Sequence, residues 1–398
     1  MVSCCVITKN EERHLDRCLS SVKGIASEII VVDSGSTDAT ISIAERHDAT
    51  IIKIDWIDDF AYARNIAIQK AREPWILFLD ADESLKEGQT LLKKVSKVKA
   101  DVGGVVLSRY DHFINPETGK QTTVPVGIVR LFRNDPNISF EYHVHEVVGP
   151  SIQRAGSKFA YLDKPIIFHH IDLHTKAFLI RKQTYYLSLL DQGLEVQPND
   201  AWLTYQKAKT LWFFEQNKEA LHLFQSITVQ GTEQEIRIAA YNNAGVLLGQ
   251  AGEYALAEEM LNKSLELQSH QSQTHYLLGD LHERFGQPGK AIRHYNKVRT
   301  KLHLIGGKSY VPGGLFLFRY QKYYRLALCY KSRRLGPLAN YYLDRSLKIN
   351  PNYVDAIFLK AKWSIRSGKE ESAKHLLDQI LELNPEWEAP KALRSSSF

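Results

Sequence analysis

Three acids close an apolar run in Trp75-Ile76-Leu77-Phe78-Leu79-Asp80-Ala81-Asp82-Glu83. Carboxylates this close repel one another unless a cation neutralises them. Hard oxygen donors at that spacing suit Mg²⁺ or Mn²⁺ held between protein and a substrate diphosphate. An isolated Asp-x-Asp also fits a solvated acidic turn, and the five-residue hydrophobic strand ahead of it shifts the reading toward a site. In Phe140-Glu141-Tyr142-His143-Val144-His145-Glu146-Val147, strand-like alternation puts His143 and His145 on one face and Glu146 on the other. Ile166-Ile167-Phe168-His169-His170-Ile171-Asp172-Leu173-His174 offers imidazoles, and a neutral imidazole suits Mn²⁺. No His-Glu-x-x-His or Cys pair accompanies them, so zinc hydrolysis fails on spacing. Arg64, within Asp59-Phe60-Ala61-Tyr62-Ala63-Arg64-Asn65, shares a helix with aromatics expected to pack inward, which fixes a guanidinium beside an anionic cleft.

These groups need elements to hold them. Short β-branched runs alternate with helical stretches over the first ~170 residues, the pattern of βαβ units around a largely parallel sheet. Strands are expected at 4–7, 28–33, 51–54 and 75–79, with helices ending near Val22 and over 60–71. Ligands collect at the carboxyl ends of strands in such sheets, where Asp33 and Asp80 stand. Asp38 reads as a helix cap.

Beyond Asp200 the texture becomes helical with a period close to 34. Ala220 with Phe224, Ala257 with Leu261, Ala291 with Tyr295, Ala339 with Leu343 and Ala373 with Leu377 each set a small residue four before a large one. Ala208, Gly245, Gly279, Ala327 and Ala361 lie twelve before the later alanines, and Pro351 and Pro385 follow the last two units at equal offsets. An insertion containing Gly306-Gly307 and Pro312-Gly313-Gly314 lengthens one spacing. This resembles tetratricopeptide repeats over ~198–390; the plainer alternative is an irregular helical bundle.

The 398 residues are 44% hydrophobic and 24% charged, which excludes a collagenous, low-complexity or disordered chain and favours more than one core. No apolar run reaches the ~18–20 residues of a membrane span, and no basic leader opens the chain, so a cytoplasmic, soluble protein is expected. Cys4, Cys5, Cys18 and Cys329 lack zinc or disulfide spacing and should be reduced and structural. Residues 1–173 carry 21 Lys/Arg against 24 Asp/Glu and the remainder 30 against 21. Without long basic runs this says nothing for nucleic acid and allows at most peripheral contact with an anionic membrane.

Taken together, Val6-Ile7-Thr8-Lys9-Asn10-Glu11-Glu12, Val31-Val32-Asp33-Ser34-Gly35-Ser36-Thr37-Asp38, Ala63-Arg64-Asn65 and Asp80-Ala81-Asp82 resemble, in order and spacing, the inverting family 2 glycosyltransferases. The resemblance covers about 1–150. It implies an α/β N-terminal GT-A domain, nucleotide-diphospho-sugar transferase and Rossmann-like, at 1–185, followed by an all-α tetratricopeptide solenoid at 186–398. It implies that Thr8, Asp33 and Ser34 cradle the base and ribose of a sugar nucleotide, that Arg64 and Asp80 meet the nucleotide, and that Asp80, Asp82 and His169 hold Mn²⁺ or Mg²⁺. An acid follows at this point of the family's chain as general base; Glu146 takes that place, with His145 the alternative for base or diphosphate contact.

The implied reaction is one in-line displacement by an acceptor hydroxyl or thiol on a sugar nucleotide, a UDP-sugar first, with the diphosphate charge the dominant barrier. Two subgroups look similar: sublancin-type bacteriocin peptide glycosyltransferases and lipopolysaccharide-core β-glycosyltransferases. The appended repeats favour the first, because such arrays suit extended peptides. A peptide, protein or glycan acceptor, a homodimer, a membrane-associated glycan transferase and an inactive scaffold all stay open.

Overall fold

The structure, a computed structural model, describes residues 1–114, 118–171, 175–229, 232–299 and 319–397. β1 (Val2–Thr8), α1 (Leu15–Ser21), β2 (Glu28–Asp33), α2 (Thr40–Arg46), β3 (Thr50–Lys53), α3 (Phe60–Lys70) and β4 (Trp75–Asp80) alternate as expected. β1 and β4 are buried almost end to end, as strands covered by helices on both faces must be. β1 runs parallel between β2 and β4, and β3 parallel to β2. Thr8 stands opposite Asp33 and Ile7 opposite Asp80, so three strands deliver polar ends to one edge.

The sheet is mixed rather than largely parallel. β5 (Glu83–Lys86), α4 (Gln89–Val95), β6 (Val102–Ile114), β7 (Gln121–Arg133), α5 (Gly149–Arg154) and β8 (Lys158–His170) complete an order of β3-β2-β1-β4-β7-β6-β8-β5. β7 lies antiparallel to β4, and β5 antiparallel to β8. A parallel crossover needs a dozen or more linking residues, and only a few separate β6 from β7. Arg109 to His112 therefore belong to a half-buried strand.

Phe140–Val147 is not a strand either. Glu141 and Val147 exchange backbone hydrogen bonds of 3.0 and 3.1 Å, closing a loop in which Tyr142 (φ +71°) and His145 (φ +52°) adopt left-handed backbone. That breaks the alternation, and His145 and Glu146 face the same cavity.

The helices are α6 (Lys176–Val196), α7 (Ala201–Phe213), α8 (Asn217–Ser226), α9 (Gln234–Gln250), α10 (Tyr254–Leu267), α11 (Ser272–Arg284), α12 (Pro288–Lys297), α13 (Arg319–Ser332), α14 (Gly336–Ile349), α15 (Val354–Arg366), α16 (Glu370–Leu383) and α17 (Glu388–Ser397). The periodic alanines, glycines and their large partners fall on α7 through α16 in turn and are buried, and Pro351 and Pro385 stand exposed in the turns after α14 and α16. Gly279 is required, since a Cβ there would lie 2.5 Å from the Tyr295 ring. The glycine-rich insertion at 306–314 and His174 lie outside the described residues. All four cysteines are free and buried. No described helix is long and apolar enough to cross a membrane.

Among the described residues, one compact unit comprises Met1–Asp111 and Val126–Leu247, past the boundary expected at 185. The second comprises His112–Pro125, 248–299 and 319–397. Within it, the end of the β6–β7 hairpin packs on the last helices. Lys120 pairs with Asp355 at 2.6 Å and lies over the Trp387 ring, the Gln121 N–H donates to Asn384, and the Glu388 N–H donates to the Thr118 carbonyl.

Candidate active site

A cavity of about 780 Å³ opens at the carboxyl ends of β1, β2 and β4. Thr8 is buried there, its hydroxyl without a hydrogen-bond partner among the described residues, and Ser34 Oγ donates to the Thr8 carbonyl at 3.3 Å. Asp33 is occupied locally: it accepts from the Gly35 and Ser36 N–H groups, both at 3.0 Å, and from Ser36 Oγ, so it shapes the turn that presents Ser34. Asp38 accepts from the Thr40 N–H at 3.0 Å and the Glu12 N–H at 3.2 Å, but it stands one residue before the N-cap of α2, which is Ala39 and has no side-chain cap hydrogen bond, so the expected cap is a turn contact instead. Glu11 also lines the cavity, and burial, with Asp82 and Asp38 adding repulsion, pushes it up to about 7.

The repulsion expected among the strand-end acids is relieved by arginines. Arg64, 4% exposed, donates through Nη2 to Asp80 at 2.7 Å and through Nε to Glu146 at 2.6 Å. Its guanidinium lies 4.6 Å from the Phe78 ring and 5.2 Å from the Phe140 ring. The aromatics holding it thus come from other elements; Tyr62 on its own helix is 43% exposed. Arg130 on β7 bonds Asp80 and, at 3.0 Å, the wholly buried Glu83, which also accepts the Asp80 N–H at 3.0 Å. Arg109 on β6 pairs with Asp111 at 2.8 Å and Glu83 at 3.4 Å. Burial would raise the Asp80 carboxyl, but Arg130 and Arg64 outweigh it and hold it well below the usual range.

α3 positions the loop that carries Glu146. Asp59 caps the helix through the Tyr62 N–H at 2.8 Å. Asn65 then bonds both backbone groups of Phe140, at 2.8 and 2.9 Å, and the Phe60 N–H donates to the His143 carbonyl at 2.9 Å. From the other side the Trp202 indole N–H donates to the His145 carbonyl at 3.0 Å, Tyr142 to Asp200 at 3.2 Å, and His143 Nε2 meets the Leu189 carbonyl at 2.7 Å. His143 is thereby an anchor. His145 is pushed down to about 3 by burial, then by Lys209 and Lys182, and its buried Nε2 has no hydrogen-bond partner among the described residues.

The β5–β8 register sets Glu83 opposite His169, which brings Asp82 to the imidazole. His169 Nε2 lies 3.2 Å from Asp82 Oδ2 and Nδ1 3.0 Å from Asp111 Oδ1. Burial opposes its protonation, and the two carboxylates outweigh burial and raise it to about 9. The Asp111 carboxylate behind Nδ1 orients the ring and leaves Nε2 facing Asp82. Asp80 does not join them, because Arg64 and Arg130 hold its two oxygens. Among the described residues, no three His, Cys, Asp or Glu side chains form a set able to hold a metal. His170 instead meets Ser84 Oγ at 2.8 Å.

Sequence reasoning missed Arg109, Arg130, Lys182, Tyr186, Trp202 and Lys209, which complete the cavity. An arginine inside the apolar run Val129-Arg130-Leu131-Phe132 was the one readable signal, since charge in a buried strand needs partners. A second cavity of about 770 Å³, lined by Ile128, Tyr142, Val147, Trp202 and Ile236 among others, also meets Glu146.

Residues 3–161 match the family model "Glycosyl transferase family 2", and residues 236–300 match "Tetratricopeptide repeat". A TPR repeat-containing protein of Synechococcus elongatus is 38% identical over 42% of this chain and 42% of its own length. The SPbeta prophage-derived glycosyltransferase SunS of Bacillus subtilis is 30% identical over 55% of this chain and 51% of its own. An uncharacterized glycosyltransferase of Rickettsia bellii is 42% identical over 22% and 29%. The chain thus spans about half or less of the length of these curated relatives.

Proposed function

Because the chain carries a family 2 glycosyltransferase domain followed by tetratricopeptide repeats, we propose that it moves a sugar, with inversion, from a nucleotide diphosphate sugar to an acceptor hydroxyl or thiol. The observation that carries this reading is that Glu146 lines both adjoining cavities, so one carboxylate faces two binding spaces. With the donor in the cavity at the strand ends and the acceptor in the other, Glu146 takes the acceptor proton as the nucleophile attacks the anomeric carbon. Arg64 fixes that carboxylate in place through Nε. Thr8 and Ser34 face base and ribose, with Asp33 shaping their turn. UDP is the first nucleotide to try. Asp82 and His169 are the residues that would hold Mn²⁺ or Mg²⁺, which would neutralise charge on the departing diphosphate. A peptide or protein acceptor is favoured by the repeats, whose general use is to bind extended chains.

The test is Glu146→Gln in a sugar-transfer assay on the full chain. Turnover should fall by ~10²–10⁴-fold with the donor KM little changed. Wild-type turnover at neutral pH on a hydroxyl acceptor would remove Glu146 as the base.

A further inference from the structure

Every arginine of the cavity wall is already matched by carboxylates. Arg64 holds Asp80 and Glu146, Arg130 holds Asp80 and Glu83, and Arg109 holds Glu83 and Asp111. A diphosphate that displaced one of these carboxylates would strand it buried, which is strongly unfavourable, so only the nitrogens with no partner among the described residues, such as Arg64 Nη1 and Arg130 Nε, are open to it. The lysines differ. Lys182 on α6 and Lys209 on α7 line the cavity, and neither is among the ion pairs of the described residues. Lys182 lies over the Tyr186 ring at 5.7 Å, and Lys209 over the Tyr205 ring at 5.6 Å with Gln206 Oε1 3.3 Å from its ammonium. Both charges act on one group, the His145 imidazole, whose buried Nε2 meets no partner among the described residues. Lys182 also acts on Asp82 and Glu11. Two cations and one unmet imidazole nitrogen thus face a common space, next to the carboxylate assigned to the cation.

We propose that Lys182 and Lys209, on helices beyond the segment matched to the glycosyltransferase family, hold the diphosphate of the nucleotide, with His145 Nε2 as a neutral donor beside them. This rests on the functional reading above and adds to it that the donor site is completed by α6 and α7. Lysine suits the task, because its compact ammonium meets phosphate as a point charge without displacing the arginine pairs.

The experiment is calorimetric binding of UDP and GDP, each against its monophosphate, to the full chain with Mn²⁺ and again in EDTA. Lys182→Met and Lys209→Met should each weaken the diphosphate about 10-fold or more and the monophosphate less than about 3-fold, the scale of a lost charged hydrogen bond. Lys182→Arg should regain most of the affinity, which separates lost charge from damaged packing. Equal loss for mono- and diphosphate, or no loss in either variant, overturns the proposal while leaving the transferase reading intact. A wild-type chain that binds neither diphosphate overturns both.

Discussion

The cavity end of the sheet and the paired faces of the helices α11 to α16 are packed on different principles. Around the cavity, Arg64, Arg130, Asp80 and Glu83 are ionised groups in matched pairs. In the helices, alanine and glycine meet Tyr295, Leu343 and Leu377. Buried charge costs more than it returns in stability unless each partner is present. Its presence at the strand ends therefore points to chemistry, whereas the small-against-large packing has stability as sufficient reason. The two regions should fail differently when altered.

The largest effect is expected from Arg64→Met, which leaves Asp80 and Glu146 without their shared cation. Removing one partner of a buried network costs ~3–5 kcal/mol, read as a lower thermal midpoint together with lost nucleotide binding. A wild-type midpoint would show that the network is dispensable to the fold and break the contrast. Gly279→Ala should cost ~1–3 kcal/mol through overpacking against Tyr295, with nucleotide affinity unchanged. If binding falls as steeply as stability, the two regions are not separable.

The smallest effect is a pH dependence. His275 and His294 face each other at 3.2 Å through Nδ1, and His282 Nδ1 meets the Tyr254 hydroxyl at 2.6 Å. Burial lowers all three, His294 to about 4 with His282 and His275 adding repulsion; Lys290, Arg293 and Lys297 add to this, and Glu258 opposes it. The unfolded chain binds protons more readily, so their contribution is full above the ordinary histidine value of ~6.5 and is lost as pH falls toward 4. The midpoint should drop between about pH 7 and about pH 5, and His294→Gln should flatten that slope.

The elements that sequence reasoning found are those with local signatures. Trp75 to Leu79 is a continuous apolar run, and the alanine spacing lies within single helix pairs. What it missed depends on contacts distant in the chain. Arg130 reaches Asp80 from fifty residues on, and Lys182 and Lys209 line the same cavity from more than a hundred residues beyond Asp80. The alternation drawn from His143 to Glu146 failed because Tyr142 and His145 take left-handed backbone, a choice that non-glycine residues do not advertise. The pairing of Asp82 with His169 was anticipated from family likeness, and its cause, the Glu83 to His169 register, became visible only in the fold.

The hairpin end at 112–125 constrains anyone who would recombine this chain. A chimera made by one cut, with a foreign repeat array grafted after the first unit, would keep Thr118, Lys120 and Gln121 but discard Glu388, Asp355 and Asn384. A graft that exchanges α15 to α17 must therefore carry the matching hairpin end with it, as two separated inserts transplanted together.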